Sequence, residues 1–135
     1  MRSLDEHGFS LIELLVVCTM LGVISAIALP KFTNAIALAN TAKLQSDLQT
    51  LDAAIVMYET EKGTHPTSLT DLSDYVTDIE HLKPPTGKCR LKGGEMVEIK
   101  DTSYGVKLVG DADDSTARSQ MRAVCDDRTA GAFGR

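Results

Sequence analysis

The chain has 135 residues with a formal net charge of -5 at pH 7, and 43% of its residues are hydrophobic. This length allows one domain plus an anchoring segment, and the hydrophobic share excludes a disordered tail. The negative charge excludes a protein devoted to wrapping nucleic acid, because such binding needs Lys and Arg that neutralise phosphates.

The first predicted element is an apolar run from Phe9 to Leu29, in which Glu13 is the only carboxylate. As a helix this run is about 31 Å long, which matches the hydrocarbon thickness of a bilayer. A carboxylate inside a membrane costs about 2.5 to 3.5 kcal/mol, whereas each Leu, Ile, Val or Phe returns about 0.3 to 0.6 kcal/mol. The run holds about a dozen of these apolar residues, so the sequence predicts a membrane-spanning helix.

Beyond Pro30 the pattern is amphipathic. Five apolar residues recur at steps of four, three, four and three, which predicts one helix face packed on a globular part: Leu44, Leu48, Leu51, Ile55 and Tyr58. The intervening polar residues Gln45, Asp47 and Asp52 are expected to fall on other faces.

The end of this helix is predicted at Lys62. Gly63 supplies a left-handed cap, and Pro66 cannot continue the helix. We therefore expect one helix from Phe9 to Lys62, bent at Pro30, because the missing amide of proline frees a carbonyl one turn back.

The rest of the chain reads as a small α+β head. A short helix follows Pro66, capped by Thr67 or Ser68 with Asp71 in its first turn. Three antiparallel strands are predicted next, with Gly93-Gly94 as a hairpin signal: Cys89–Lys92, Met96–Lys100 and Ser103–Val109. The small sheet is expected to pack on the apolar helix face.

A second short helix is predicted from Ser115. In that helix Ala117, Met121 and Val124 would face inward, and Cys125 would lie near its end, placed to meet Cys89.

The three cysteines divide between two environments. Cys18 lies in the apolar run, where it acts as a small apolar side chain. Cys89 and Cys125 are expected to form a disulfide if the polar part lies outside the cytoplasm, and closing that loop would stabilise the fold by about 4 kcal/mol. The cysteines and histidines lack the spacing of a structural zinc site.

The remaining candidate functional sites are two charged clusters and the histidines. Asp111, Asp113 and Asp114 form either a calcium site or an acidic turn that caps the next helix. The basic residues Lys83, Lys88, Arg90 and Lys92 carry no interleaved aromatic side chains, so a solvated face is expected rather than a DNA-binding one. His7, His65 and His81 are not paired with a nucleophile at motif spacing, and we expect no enzymatic activity.

The amino-terminal motif resembles the signature of type IV pilins and related pseudopilins. It reads G-FSLIE-LLVV, with Gly8, Phe9 and Glu13 in the family's order and Pro30 where the family commonly carries a helix-bending proline. The segment LDAAIVMYETEKGTHPTSLTDL resembles the end of the long helix in major pseudopilins of type II secretion systems.

This resemblance implies four regions. Residues 1-8 would be a leader, removed by a prepilin peptidase before the new amine of Phe9 is methylated. Residues 9-30 would be the transmembrane and filament-core helix, residues 31-62 its amphipathic continuation, and residues 63-135 an α+β head in the periplasm or outside the cell. Glu13 would meet the amino-terminal ammonium of a neighbouring subunit in a homo-oligomeric helical filament.

The resemblance also implies partners and a location. The chain would cross the bacterial inner membrane once, with its head outside the cytoplasm. Its partners would be an inner-membrane assembly platform and minor pilins. A major pseudopilin of a type II secretion system is the leading hypothesis. The alternative is a type IV or competence pilin whose head binds DNA or surfaces. The resemblance further implies calcium in the carboxy-terminal part for the first group, and a carboxy-terminal disulfide for the second.

Overall fold

The computed structural model describes residues 9–110 and 120–134. It contains one long helix, α1 (Leu11–Lys62), and four strands: β1 (Gly87–Arg90), β2 (Met96–Ile99), β3 (Gly105–Val109) and β4 (Gln120–Val124). Two short 3-10 helices, Leu69–Leu72 and Ile79–His81, lie between α1 and β1, and a third, Ala130–Ala132, follows β4. The predicted α+β class, with a long amino-terminal helix followed by antiparallel strands, is confirmed.

Helix α1 ends at the predicted residue. Gly63 has a φ of +69°, and its N–H donates to the carbonyl of Glu59 at 2.9 Å. A left-handed residue is needed here, and glycine adopts this conformation without a Cβ clash. Pro30 lies inside the helix, which continues through it; the bend at Pro30 stays a prediction.

The chain forms two compact units, one ending at Ala35 and the other beginning at Ile36. The first unit is the apolar part of α1, which is long and apolar enough to cross a membrane, with none of that apolar stretch buried. Water disfavours so many exposed apolar side chains, so this surface requires a lipid or protein environment.

The second unit contains the hydrophobic core. The predicted stripe of α1 is confirmed, since Leu44, Leu48, Leu51 and Ile55 are fully buried and Tyr58 packs against their cluster. The head contributes further buried side chains to the same core: Leu72, Cys89, Ile99, Tyr104, Ala123, Cys125 and Phe133. Burial of a Leu or Ile side chain stabilises the fold by about 1.5 to 3 kcal/mol, so this stripe is what fixes the head to α1.

The strands form two separate two-stranded sheets instead of one small sheet. β1 pairs antiparallel with β2, and the hairpin predicted from Gly93-Gly94 is confirmed, with Gly94 at a φ of +88°. In β2, Ile99 is buried whereas Met96 and Glu98 are exposed. β3 pairs antiparallel with β4.

The carboxy-terminal helix predicted from Ser115 is wrong over residues 120–124, which form β4. The three residues that suggested a helix were too few to separate a period of 3.6 from a period of 2. Met121 and Ala123 lie two residues apart in β4, which pairs antiparallel with β3. Ala117 lies outside the described residues.

The short helix after Pro66 is confirmed as a single 3-10 turn. Asp71 lies in its first turn, where its Oδ2 accepts from the N–H groups of Thr67 and Ser68 at 2.8 and 3.0 Å. These hydrogen bonds stabilise the ionised form and lower the pKa of Asp71.

Candidate functional site

The amino-terminal motif lies at the start of α1. Phe9 precedes the helix and its side chain is 71% exposed, and Glu13 lies in the first helical turn. A carboxylate is favoured there because the amino-terminal end of the helix dipole is positive. Gly8 lies outside the described residues.

Glu13 is surrounded by exposed apolar side chains of its own helix. Ile12 is 65% exposed and Leu14 is 55% exposed, and apolar residues continue around the helix to Leu29. A carboxylate carried into a membrane or between packed helices needs a cation close by, because burying an unpaired charge costs several kcal/mol. The site can therefore select a partner that brings a positive charge.

In the second unit, polar side chains of α1 form hydrogen bonds and an ion pair with the head. Asp52 is the strongest example: its Oδ2 accepts from Nε and Nη2 of Arg122 at 3.0 and 2.8 Å. Its Oδ1 accepts from the N–H of Ala123 at 2.8 Å. One carboxylate thus fixes strand β4 to the helix through a forked ion pair and a backbone hydrogen bond.

Two neighbouring residues of α1 hold β1 and the loop before it. The hydroxyl of Thr41 accepts from the N–H of Arg90 at 2.7 Å and donates to the carbonyl of Ala37, also at 2.7 Å. The side-chain amide of Asn40 donates to the carbonyl of Thr86 at 3.1 Å and to that of Lys88 at 3.3 Å. Thr41 is 3% exposed, so its hydrogen bonds compensate for its burial.

Two further polar residues of α1, Gln45 and Asp47, also bond to the head. Nε2 of Gln45 donates to the carbonyl of Phe133 at 2.6 Å, and the hydroxyl of Tyr104 donates to Asp47 at 2.7 Å. Burial, followed by the hydrogen bond to Asp47, raises the pKa of Tyr104. Helical periodicity missed these residues because it separates apolar from polar and does not show which polar groups find a backbone partner.

The carboxy-terminal tail was also missed. Phe133 is 2% exposed and forms a bridge with Leu91, and the N–H of Gly134 donates to the carbonyl of Arg90 at 3.0 Å. The tail therefore runs beside β1 and closes the core. The available signal was Phe133 itself, a lone aromatic residue in a polar tail, since aromatic side chains dominate core burial.

Replacing Asp52 by Ala is expected to lower the free energy of unfolding by about 2 to 3 kcal/mol, because it leaves Arg122 and the N–H of Ala123 without their acceptor. Urea unfolding of the chain in detergent measures this change. Asp74→Ala, at an exposed position, is the matched control and should change little. Equal stability of the two variants would contradict the role of Asp52.

Cys89 and Cys125 both lie in the core with no exposed surface, and the structure contains them as free thiols. Burial raises the pKa of Cys125 to about 12 and also raises that of Cys89. Such thiols are poor nucleophiles, which argues against a catalytic cysteine. The disulfide between them stays a prediction.

The acidic residues Asp111, Asp113 and Asp114 lie outside the described residues. Within residues 9–110 and 120–134 there is no group of three or more His, Cys, Asp or Glu side chains placed to hold a metal ion. A cleft of about 790 Å³ in the head is lined by Asp101 and Asp126 among others. These two carboxylates are engaged with backbone, since Asp126 accepts from the N–H of Asp101 at 3.1 Å and Asp101 accepts from the N–H of Asp126.

Three of the four basic residues singled out above lie on β1 or just beyond it. Lys88 and Lys92 are exposed and Arg90 is half-buried on β1 or just beyond it. Their cross-strand neighbours are Glu98, opposite Lys88, and Met96, opposite Arg90. The sheet offers no aromatic side chain on which bases could stack.

Comparison with known proteins gives the amino-terminal segment a family. Residues 4–29 match the family model described as the prokaryotic N-terminal methylation motif. This range contains Gly8, Phe9 and Glu13. The amino terminus of the chain is therefore similar to those of proteins that carry this motif. The pilin-like architecture of the chain, one long helix and small antiparallel sheets, agrees with the match.

Curated relatives of this pilin-like chain carry one name. It is 29% identical over 105 residues to the type II secretion system core protein G of Klebsiella michiganensis, covering 78% of this chain and 72% of that protein. The core protein G of Klebsiella pneumoniae is 33% identical over 63 residues, covering 47% of this chain and 45% of that protein. That of Vibrio cholerae is 29% identical over 100 residues, covering 74% and 66%. No solved structure matches this pilin-like chain.

Proposed function

We propose that this chain is the major pseudopilin of a type II secretion system, a structural subunit of a pilus-like filament. The observation that carries the proposal is Glu13, a lone carboxylate in the first turn of an exposed apolar helix, within the matched methylation motif. The relatives named core protein G support the choice of the type II secretion system.

The first step is proteolytic processing. A prepilin peptidase hydrolyses the peptide bond between Gly8 and Phe9, which consumes one water and leaves a free amine on Phe9. Gly8 suits this cleavage because it has no side chain to hinder the approach of the peptidase. Transfer of one methyl group from a sulfonium methyl donor to the neutral amine releases a thioether and the proton of the amine. The resulting secondary amine is protonated again at neutral pH, so its positive charge is retained.

The second step is assembly. The ammonium of Phe9 on one subunit pairs with Glu13 of a neighbouring subunit, and each charge compensates the desolvation of the other. Neighbouring subunits then cover the apolar surface from Phe9 to Leu29, which leaves its contact with water or lipid. This pairing fixes the register between neighbours, because each subunit offers one cation and one anion.

The location and the partners of the chain follow from this role. The subunit is inserted once in the bacterial inner membrane with its head outside the cytoplasm, and then enters a filament in the periplasm or at the cell surface. An inner-membrane assembly platform and minor pilins are its partners. The chain acts through shape and contacts, without enzymatic chemistry of its own. Calcium at Asp111, Asp113 and Asp114 and the disulfide between Cys89 and Cys125 remain proposals for stabilising the head.

Intact-mass spectrometry of the protein purified from producing cells tests the processing step. We expect a mature chain that begins with N-methylated Phe9, and a Gly8→Val variant that retains its leader. Leu4→Ala, a leader substitution away from the cleaved bond, is the matched control and should be processed normally. A purified wild-type protein that still begins with Met1 would contradict the proposed function.

A further inference from the structure

One short segment of the head carries positive charge and no negative charge. Residues 83–94 contain four basic residues and no acidic residue, in a chain whose net charge is -5. We call these four residues the basic patch: Lys83, Lys88, Arg90 and Lys92. The last three alternate with Cys89 and Leu91, which pack in the core, so they lie on the outward side of β1 and its continuation.

The basic patch has no carboxylate partner in its own subunit among residues 9–110 and 120–134. None of its four side chains takes part in an ion pair there, although Glu98 lies opposite Lys88 on β2. Other basic residues of the same unit are paired, since Lys107 contacts Asp127 and Arg122 contacts Asp52. The cations of the basic patch are therefore available to an anion outside the subunit.

The basic patch lies at the end of the head where α1 enters it. Backbone groups of the patch form hydrogen bonds of 2.7 to 3.3 Å with three residues of α1: Asn40, Thr41 and Lys43. Exposed apolar side chains of α1 come just before these residues, with Ile36 59% exposed and Leu38 42% exposed. Leu38 and Thr41 are about 4.5 Å apart along the helix, so an apolar surface suited to lipid directly adjoins the patch.

The helix that leads to the basic patch is also free of negative charge. Between Glu13 and Asp47 the charged residues of α1 are Lys31 and Lys43, both positive. Basic residues near a membrane span normally collect on its cytoplasmic side. A positively charged region next to a span, on a head outside the cytoplasm, therefore needs a separate reason.

We propose that the basic patch binds anionic phospholipid headgroups in the membrane leaflet that faces the head, and so holds the head of an unassembled subunit against the membrane. This inference rests on the proposed function for the location of the head. Each Lys or Arg near an anionic leaflet strengthens binding by about fivefold, and the attraction falls off within about 10 Å. The occupant is lipid because the exposed apolar surface ends beside the patch, and because the net charge of -5 disfavours a soluble polyanion.

Quenching of a fluorophore by lipid tests the contact. Thr86→Cys, at an exposed position within the patch segment, is introduced in a Cys18→Ala background, in which Cys89 and Cys125 are buried, and is labelled with bimane. The full chain is reconstituted in phosphatidylcholine vesicles with or without about one third phosphatidylglycerol, each containing a lipid with a nitroxide on its headgroup. We expect about threefold stronger quenching with phosphatidylglycerol, and loss of this difference in about 1 M NaCl, where the Debye length is about 3 Å.

A label at the other end of α1 is the control for position. Thr60→Cys in the same background is also exposed, and it lies twenty residues beyond Asn40, which is about 30 Å along the helix. Its label should be quenched weakly, and to the same extent, in both kinds of vesicle.

Charge substitutions provide the second measurement. Lys88→Gln combined with Lys92→Gln should lose most of the phosphatidylglycerol-dependent quenching, because two of the exposed cations are removed. Lys88→Arg combined with Lys92→Arg keeps both charges and should retain it. Lys62→Gln combined with Lys107→Gln removes the same charge from exposed positions elsewhere, and should behave as the unsubstituted chain.

Equal quenching of the Thr86→Cys label with and without phosphatidylglycerol would overturn the inference. Unchanged quenching in the chain with Lys88→Gln and Lys92→Gln would overturn it as well, and loss of filaments from that chain would then assign the patch to a contact between subunits. Failure of the proposed function is distinguishable, because a chain without a membrane span would not float with either kind of vesicle and the unmodified chain would form no filaments.

Discussion

Replacing Glu13 by Gln is expected to abolish filament assembly while the chain still inserts in the membrane. The substitution removes the anion of the proposed pair and leaves the ammonium of the neighbouring Phe9 buried without a partner. Breaking a buried ion pair on one side costs about 3 to 5 kcal/mol, which corresponds to more than about a hundredfold loss in affinity at each contact. Insertion should be retained, because a neutral amide is less costly in lipid than a carboxylate. Quantification of sheared filaments, alongside membrane fractionation, measures both effects.

Thr19→Gln is the matched control for Glu13→Gln. It places the same amide in the same helix while the carboxylate remains, so assembly should be reduced far less. Glu13→Asp keeps the charge on a shorter side chain and should restore part of the assembly. Filaments of normal yield from Glu13→Gln would show that this carboxylate does not pair with a neighbouring amine.

Loss of the disulfide proposed between Cys89 and Cys125 should produce the second large effect. Cys125→Ala is expected to lower the free energy of unfolding by about 4 kcal/mol, mainly because the unfolded chain is no longer cross-linked. Both residues have no exposed surface and belong to one core cluster, so the bond would lie in the protein interior. Chemical unfolding of the full chain in detergent, with and without reductant, measures the difference.

Cys18→Ala is the control for Cys125→Ala, because it removes a thiol from the apolar part of α1 and should leave the stability of the head unchanged. The wild-type protein should also lose stability in reductant, whereas Cys125→Ala should not respond to it. Should the unfolded wild-type protein react fully with a thiol reagent in the absence of reductant, the two cysteines are free and the proposed disulfide does not exist.

Much of the fold follows from local patterns that need no knowledge of distant partners. The stripe from Leu44 to Ile55 was predictable because helical periodicity alone places apolar residues on one side. Gly63 was predictable because a left-handed residue at a helix end is a local requirement. The hairpin at Gly93-Gly94 follows for the same reason, since the turn and its two strands are adjacent in the chain.

Of the functional residues, the sequence predicted Glu13 but not the residues that hold the head to α1. Glu13 stands out because an apolar run of membrane length contains no other carboxylate, so its presence requires a physical reason. The residues that hold the head to α1 were not predictable in this way. Thr41, Gln45 and Asp52 are ordinary polar residues of an amphipathic helix, and their partners lie more than forty residues away in the chain.

The sequence by itself determined the apolar helix with its single acid, the end of that helix, and the apolar residues that form its packed face. Only the tertiary structure decided that residues 120–124 form β4, that the strands divide into two sheets, and that Phe133 closes the core. The physical reason is that helix periodicity and turn chemistry are set by neighbours in the chain. Strand pairing and hydrogen bonds between a side chain and a remote backbone are instead set by which unsatisfied groups meet after the core has formed.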